Sequence, residues 1–332
     1  MKKIILTVAI AMSTFISQAQ VTPQYKFLKK IDLAGDGKWD YMKMDGEKEK
    51  LYVSHGDRVH VIDLTNDKIV TEWTGLNSVH GISLGKEENK AYIANTGENN
   101  VVIYNTLTWA KITTVELKGG IKPDCILYDK FSKQAFVFCG KSNNVYVIDG
   151  TTDKVVATIE VGGKPEFACT DNLGLIYNNI EDKNEVVVID AKANKVVRRY
   201  SLGDDKAPTG IAIDEKNNRL FVTCEETKNL VVLDKITGRR VATVPIGAKT
   251  DGVVYEKDLH LIITSNGEGS ATIIKQESSD KYSEIQTLKT RPGQKTIVHR
   301  GTTHNFFLTG ADLTADGKIA PNTFGVYVYS MQ

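Results

Sequence analysis

The chain has 332 residues, 41% hydrophobic and 25% charged, with a formal net charge of +1; these are the proportions of a globular protein, not of a disordered or collagen-like one. The 42 basic residues nearly cancel the 41 acidic ones, which argues against nucleic acid or an anionic membrane surface as a partner. The four cysteines show no Cys-x-x-Cys spacing, which excludes zinc-ribbon, thioredoxin-type and c-type haem readings.

The first segment, "MKKIILTVAIAMSTFISQAQ", sets Lys2 and Lys3 before an apolar run from Ile4 to Ile16, followed by Ser17 and Ala19. That layout predicts a secretory signal over residues 1–19, too short and wrongly flanked for a membrane span. No cysteine follows the cut and no later run is long enough to cross a bilayer, so a periplasmic or secreted protein without an integral membrane segment is expected. Loss of Lys2 and Lys3 takes the net charge to −1. In an oxidising compartment Cys125, Cys139, Cys169 and Cys224 are expected as buried thiols within strands, a disulfide remaining open.

Residues 20–332 read as one repeating domain. After a lone alternating stretch, "YKFLKKIDL" (Tyr25 to Leu33), comes a weak unit at "LYVSHGDRVHVIDLTNDKIVTEW" from Leu51. Four close copies follow, at "NKAYIANTGENNVVIYNTLTWAKITTVEL" from Asn89, "KQAFVFCGKSNNVYVIDGTTDKVVATIEV" from Lys133, "LGLIYNNIEDKNEVVVIDAKANKVVRRYSL" from Leu173 and "NRLFVTCEETKNLVVLDKITGRRVATVPI" from Asn218. A sixth begins at Leu259, and a seventh at "GQKTIVHRGTTHNFFLTG" runs out after "FGVYVYS". Each unit carries short β-branched strands separated by polar turns, and a period near 42 residues predicts the four-stranded blades of an all-β propeller. A seven-bladed ring is expected, the N-terminal strand completing the last blade and removing the free edges an open ring would leave. The longest insertion, Gly310 to Thr323, reads as a binding loop or lid, or as an unremarkable surface excursion.

The segments "YVSH" (Tyr52–His55), "YIAN" (Tyr92–Asn95) and "FVTC" (Phe221–Cys224) resemble the YVTN repeat. With "VHGISL", "KPDCILYD", "GKPEFACTD", "APTGIAID" and "TDGVVY", the chain is similar to secreted bacterial YncE-like seven-bladed propellers over its whole mature length. The resemblance implies the fold and little about activity, since one fold hosts many functions.

Aligned on their second strands, the blades open their innermost strands with Asp40, His80, Asp124, Glu166, Thr209, Asp251 and Lys295, at intervals of 40 to 44 residues. A second column ends the second strands: His55, Asn95, Cys139, Asn178, Cys224, Ser265 and Gly310. In a propeller both columns are expected at one mouth of the central channel. Carboxylates gathered there repel and raise one another's pKa unless a cation compensates, and Lys295 offsets one charge at most. A divalent cation (calcium, magnesium and zinc are not distinguished) is therefore expected on Asp40, His80, Asp124, Glu166 and Asp251. Ligand contacts are expected from His55, Asn95, Asn178, Thr209 and Lys295. Neither haem nor nucleotide motifs are present, nor a Gly-x-Ser-x-Gly elbow, a phosphate loop or His-Glu-x-x-His.

Three functions follow: an exported binding module for a small molecule, glycan or protein; a metal-assisted lyase or lactone hydrolase; or a structural, surface-interaction propeller. In the second, His80 is the general base and Glu166 a catalytic carboxylate. The charged first column favours binding. A monomer is expected.

Overall fold

Five of the units end their third strand in Asp63, Asn105, Asp149, Asp190 or Asp234, and each side chain accepts the backbone N–H two residues on at 2.8–3.1 Å. This local turn is why the chain reverses there instead of extending the strand. A second set closes the first hairpin: Asp45, Asp129, Asp214 and Glu256 accept the N–H three residues ahead at 2.6–3.3 Å. Between these turns, alternating β-branched and aromatic residues form the strands.

The computed structural model describes residues 24–332; the leader expected over residues 1–19 lies outside the described residues. The strands assemble into seven antiparallel sheets of four. The innermost strands of blades 1 to 6 are Trp39–Asp45, Val79–Gly85, Pro123–Asp129, Pro165–Thr170, Pro208–Asp214 and Thr250–Glu256. In blade 7 the order from the axis outwards is Ile297–Arg300, Asn305–Gly310, Gly325–Met331 and then Tyr25–Asp32. Neighbouring innermost strands touch all the way round, blade 7 meeting blade 1.

Seven hydrophobic clusters fill the seven seams between adjacent blades. Each sheet thus buries both faces, and the core is a ring and not a central mass. Phe136, Phe138, Val187 and Ile189 pack between blades 3 and 4, while Tyr25, Ile263, Phe306 and Tyr329 pack between blades 6 and 7. Trp73 stacks on Tyr104 at 4.3 Å between blades 1 and 2, so it serves packing. Cys125, Cys139 and Cys224 are buried, and all four cysteines are free thiols. No helix among the described residues is long and apolar enough to cross a membrane.

The turn acids divide by burial. Asp129 is fully buried and holds the Ser132 N–H and hydroxyl at 2.8 Å each and the Thr170 hydroxyl of blade 4 at 2.7 Å. Asp129→Ala strands three donors, and the melting midpoint is expected to fall by about 4–8 °C, the cost of about 2–3 kcal/mol of lost buried hydrogen bonding. Asp63→Ala removes a similar turn bond at a solvent-exposed site, where water substitutes and the midpoint should barely move. Equal effects in calorimetry would refute the distinction.

Candidate functional site

An inner strand that ran straight would point alternate residues into the channel and into the seam. In blades 1 to 6 it does not run straight. The pairing with the second strand slips between Trp39 and Met42, Val79 and Ile82, Pro123 and Ile126, Pro165 and Ala168, Pro208 and Ile211, and Thr250 and Gly252. Each slip is a β-bulge, which bends a strand and re-aims a side chain. Inside each bulge lies the first-column residue, Asp40, His80, Asp124, Glu166, Thr209 or Asp251, joined in the first five by the residue after it. The bulges therefore turn the column towards the axis.

A bulge leaves carbonyls without ladder partners, and these must be satisfied where water is excluded. Second-strand side chains do so. Ser54 donates to the Tyr41 carbonyl at 2.9 Å, Asn178 to the Glu166 and Phe167 carbonyls at 2.9 and 3.2 Å, and Asn179 to the Thr209 and Gly210 carbonyls at 2.7 and 3.0 Å. Ser265 donates to the Lys295 carbonyl at 2.6 Å.

The result is a vestibule of about 240 Å³ at one mouth, walled by the whole first column: Asp40, His80, Asp124, Glu166, Thr209, Asp251 and Lys295. The rings of Tyr41 of blade 1 and Phe167 of blade 4 meet at a tilt with centroids 4.5 Å apart, and both line the vestibule. Larger grooves of about 610 and 750 Å³ lie on the opposite face among the hairpin turns, but they gather no first-column residue.

Within the vestibule Asp40, His80 and Asp124 converge, their ligand atoms lying within 4.8 Å of one another. His80 Nδ1 stands 2.5 Å from Asp40 Oδ2 and 3.1 Å from Asp124 Oδ1. The approach depends on Gly81, where a Cβ would sit 2.3 Å from the Asp124 carbonyl oxygen. Burial works against a charged His80, but hydrogen bonds and charge from Asp124 and Asp40 overcome it and raise the imidazole pKa to about 9. Burial holds Asp40 above the usual carboxylate range, opposed by the His80 hydrogen bond. Asp124 is buried too, yet the His80 and Lys122 contacts bring it below that range. Burial, reinforced by the Asp124 charge, raises Glu166 to about 8.

The structure adds four residues to the vestibule that sequence reasoning missed: Lys122, Lys164, Glu181 and Glu225. Lys122 reaches Asp124 at 3.0 Å and Lys164 reaches Glu166 at 2.8 Å; Lys164 also pairs with Glu181. Lys295 reaches Asp251 at 2.7 Å. The signal was present in "KPD" and "KPE", where a lysine stands two residues before each acid, close enough in the chain to fold back onto it. The expectation that Lys295 alone offsets the acids is thus corrected: three lysines and His80 face six carboxylates.

The second column does not reach the vestibule with the first. His55 is buried, stacked on Phe324 at 3.9 Å and hydrogen bonded to His60 at 3.1 Å. Asn95 accepts the Asn77 N–H at 2.6 Å and donates to Asn100 at 2.9 Å, and Asn178 supports the blade 4 bulge. None of the three lines the cavity. Thr209 does, although its hydroxyl donates to the Thr250 carbonyl at 2.9 Å.

No family model matches the chain. It is 25% identical over 156 residues to the protein YncE of Salmonella typhi and to that of Salmonella typhimurium strain LT2, a match covering 46% of this chain and 43% of each relative. The chain is a seven-bladed β-propeller with sequence similarity to YncE over that stretch. The match spans less than half the length of those relatives. Among solved structures, Kuenenia stuttgartiensis hydrazine synthase superposes with a TM-score of 0.72 over 93% of this chain and 97% of that one, at 14% identity, a likeness of fold alone.

Proposed function

We propose that the protein is an exported, non-catalytic binding module that captures a small cation in the vestibule. The observation that supports this reading is the excess of carboxylates over cations in an enclosed volume: six acids against three lysines and one imidazole. Burial first, and the neighbouring acids after it, raise Glu166 and Asp40, and a bound cation would relieve the part that the acids contribute. Export to the periplasm or beyond rests on the N-terminal segment, residues 1–19.

A second reading is supported by Asp40, His80 and Asp124. Two carboxylates and an imidazole are a donor set suited to a divalent metal with open positions. A metal there would act as a Lewis acid on a substrate oxygen, in a lyase or lactone hydrolase. His80 Nδ1 faces both carboxylates, so as a ligand it would have to give up the proton it shares with them. Glu166, on the other side of the vestibule and paired with Lys164, would serve as the acid or base.

The test titrates purified protein with ethylammonium, Ca²⁺ and Mn²⁺ and follows the melting midpoint. A ligand at one hundred times its Kd contributes about 2.7 kcal/mol by linkage, so a rise of several degrees is expected for at least one cation. The rise should be lost in Asp40→Asn/Asp124→Asn. No shift with any of the three would remove the cation-binding reading. A shift with Mn²⁺ alone, together with proton release on binding, would favour the metal.

A further inference from the structure

Beside the vestibule lies a second cavity of about 420 Å³ that shares Asp40, His80 and Lys295 with it. The remaining wall differs in chemistry: Trp39, Val79 and Ile319 beside the bare backbone of Gly56 and Gly293. Trp39 is half-buried, its back packed on Phe324 at 5.3 Å, and its six-membered ring lies 3.9 Å from where a Cβ of Gly293 would stand. Gly293 has φ +85°, a backbone conformation that side chains disfavour, so this wall stays low.

Ile319 arrives from the Gly310–Thr323 insertion, which has a structure of its own. Leu313 and Ile319 pair as an isolated bridge, Thr314 and Lys318 close the turn at 2.8 Å, and the base is tied by Thr323 Oγ1, which accepts the Asp312 N–H at 2.9 Å. The Asn322 N–H also reaches Asp36 of the loop leading into blade 1, at 3.2 Å. The insertion is a small hairpin fastened beside the mouth, with one aliphatic side chain over the annex. Its other large apolar residue, Leu313, is exposed.

We infer that the ligand is an amphiphilic organic cation, an ammonium bearing one ring-sized apolar group. Its head would sit among the Asp40, Asp124 and Glu166 carboxylates, and its apolar part between Trp39 and Ile319. The inference rests on the cation-binding reading above and adds what lies beyond the charge. The wall that the two cavities share carries it: an inorganic ion or a bare ammonium would leave Trp39 and Ile319, on the far side of Asp40 and His80, facing water. The annex lysines do not recommend an anion. Lys295 is held by Asp251 at 2.7 Å, and Lys38 lies exposed at the rim.

The experiment compares ethylammonium, 2-phenylethylammonium and 3-phenylpropanoate, by Trp fluorescence and ligand-observed NMR, on the full chain and on Ile319→Ser. Transfer of a phenyl ring into the annex should make 2-phenylethylammonium bind on the order of tenfold or more tighter than ethylammonium. Ile319→Ser should remove most of that advantage and leave ethylammonium unchanged, and only the aryl probe should perturb Trp39. Equal affinity of the two ammonium probes would overturn the inference while leaving cation binding standing. No binding by either ammonium would likewise overturn the inference, while Ca²⁺ or Mn²⁺ binding would still uphold the cation reading; binding of 3-phenylpropanoate in preference to both would overturn both.

Discussion

A chain that lacks residues 24–32 will lose the cooperative thermal transition of the full protein and will aggregate. These residues form the outer strand of blade 7, paired along Gly325–Met331 from Tyr25 opposite Met331 to Asp32 opposite Gly325. Tyr25 is fully buried and Ile31 nearly so; Tyr25 packs on Phe306 at 5.0 Å. Gln286 of blade 6 binds the Tyr25 backbone N–H and carbonyl at 2.8 Å each, so the strand is clasped by a neighbouring blade as well as by its own. Burial of a large side chain contributes about 1.5–3 kcal/mol, and Tyr25→Ala alone should cost about 3–5 kcal/mol. Deletion adds the exposure of the edge carrying Val326, Tyr327, Val328 and Tyr329, a row of unpaired backbone groups on an apolar strand, which is a template for aggregation. The checks are calorimetry and light scattering. A truncated chain that melted at the parent temperature and stayed monodisperse would show that the ring does not depend on this strand.

Glu166→Gln should stabilise the ligand-free protein at pH 8.5 and leave it unchanged at pH 4.5. In the fold the Glu166 carboxyl is raised from 4.5 to about 8, first by burial and then by the Asp124 charge. Below pH 4.5 it is protonated both folded and unfolded and contributes no difference. Between pH 4.5 and 8 the unfolded chain releases its proton first, so stability falls by up to about 1.4 kcal/mol per pH unit, and above pH 8 the loss is complete. His80 acts in the same direction. Its pKa is raised from 6.5 to about 9, so its contribution is fully present below pH 6.5 and is lost as pH rises through 9. The wild type should therefore melt progressively lower from about pH 5 to pH 9. The Gln variant should recover about 2–4 kcal/mol at the alkaline end. A melting midpoint that climbed over this range, or a gain independent of pH, would contradict the placement of Glu166 in a buried site beside Asp124 that Lys164 compensates only in part. Such a gain in stability would come at the ligand's expense, the usual relation between a strained site and its function.

The ring and its blade count were legible because a repeat writes the same signals many times. A single "VID" followed by a polar turn is a weak signal, but at Asp63, Asp149 and Asp190, with Asp234 in a close variant, it fixes the register of whole blades. The first column was legible for the same reason, and all seven of its residues line one cavity. What a linear reading could not supply was the bulge. The extra residue at Asp40, Asp124 or Glu166 shows no mark in composition or alternation, yet it decides which side chain faces the axis. The same feature explains the displaced second column. Asn178 is polar because a bulge carbonyl needs a donor, and a donor to backbone looks like a ligand-binding amide when only the sequence is seen. His55 ends its strand as expected, but Phe324, at the end of the long insertion, covers it, a contact between residues 269 positions apart in the chain. Lys122 and Lys164 were overlooked for a simpler reason: in the pattern of acids they stood as flanks, and only three dimensions show them folded back onto the carboxylates they precede.

Tyr41 and Phe167 meet with ring centroids 4.5 Å apart although they come from blades 1 and 4, so the two halves of the ring lean on each other through a single aromatic contact beside the vestibule. A change that trims Phe167 would loosen Tyr41 with it, and Tyr41 is the chain neighbour of Asp40. Damage on one half of the disc would therefore be felt among the acids of the other.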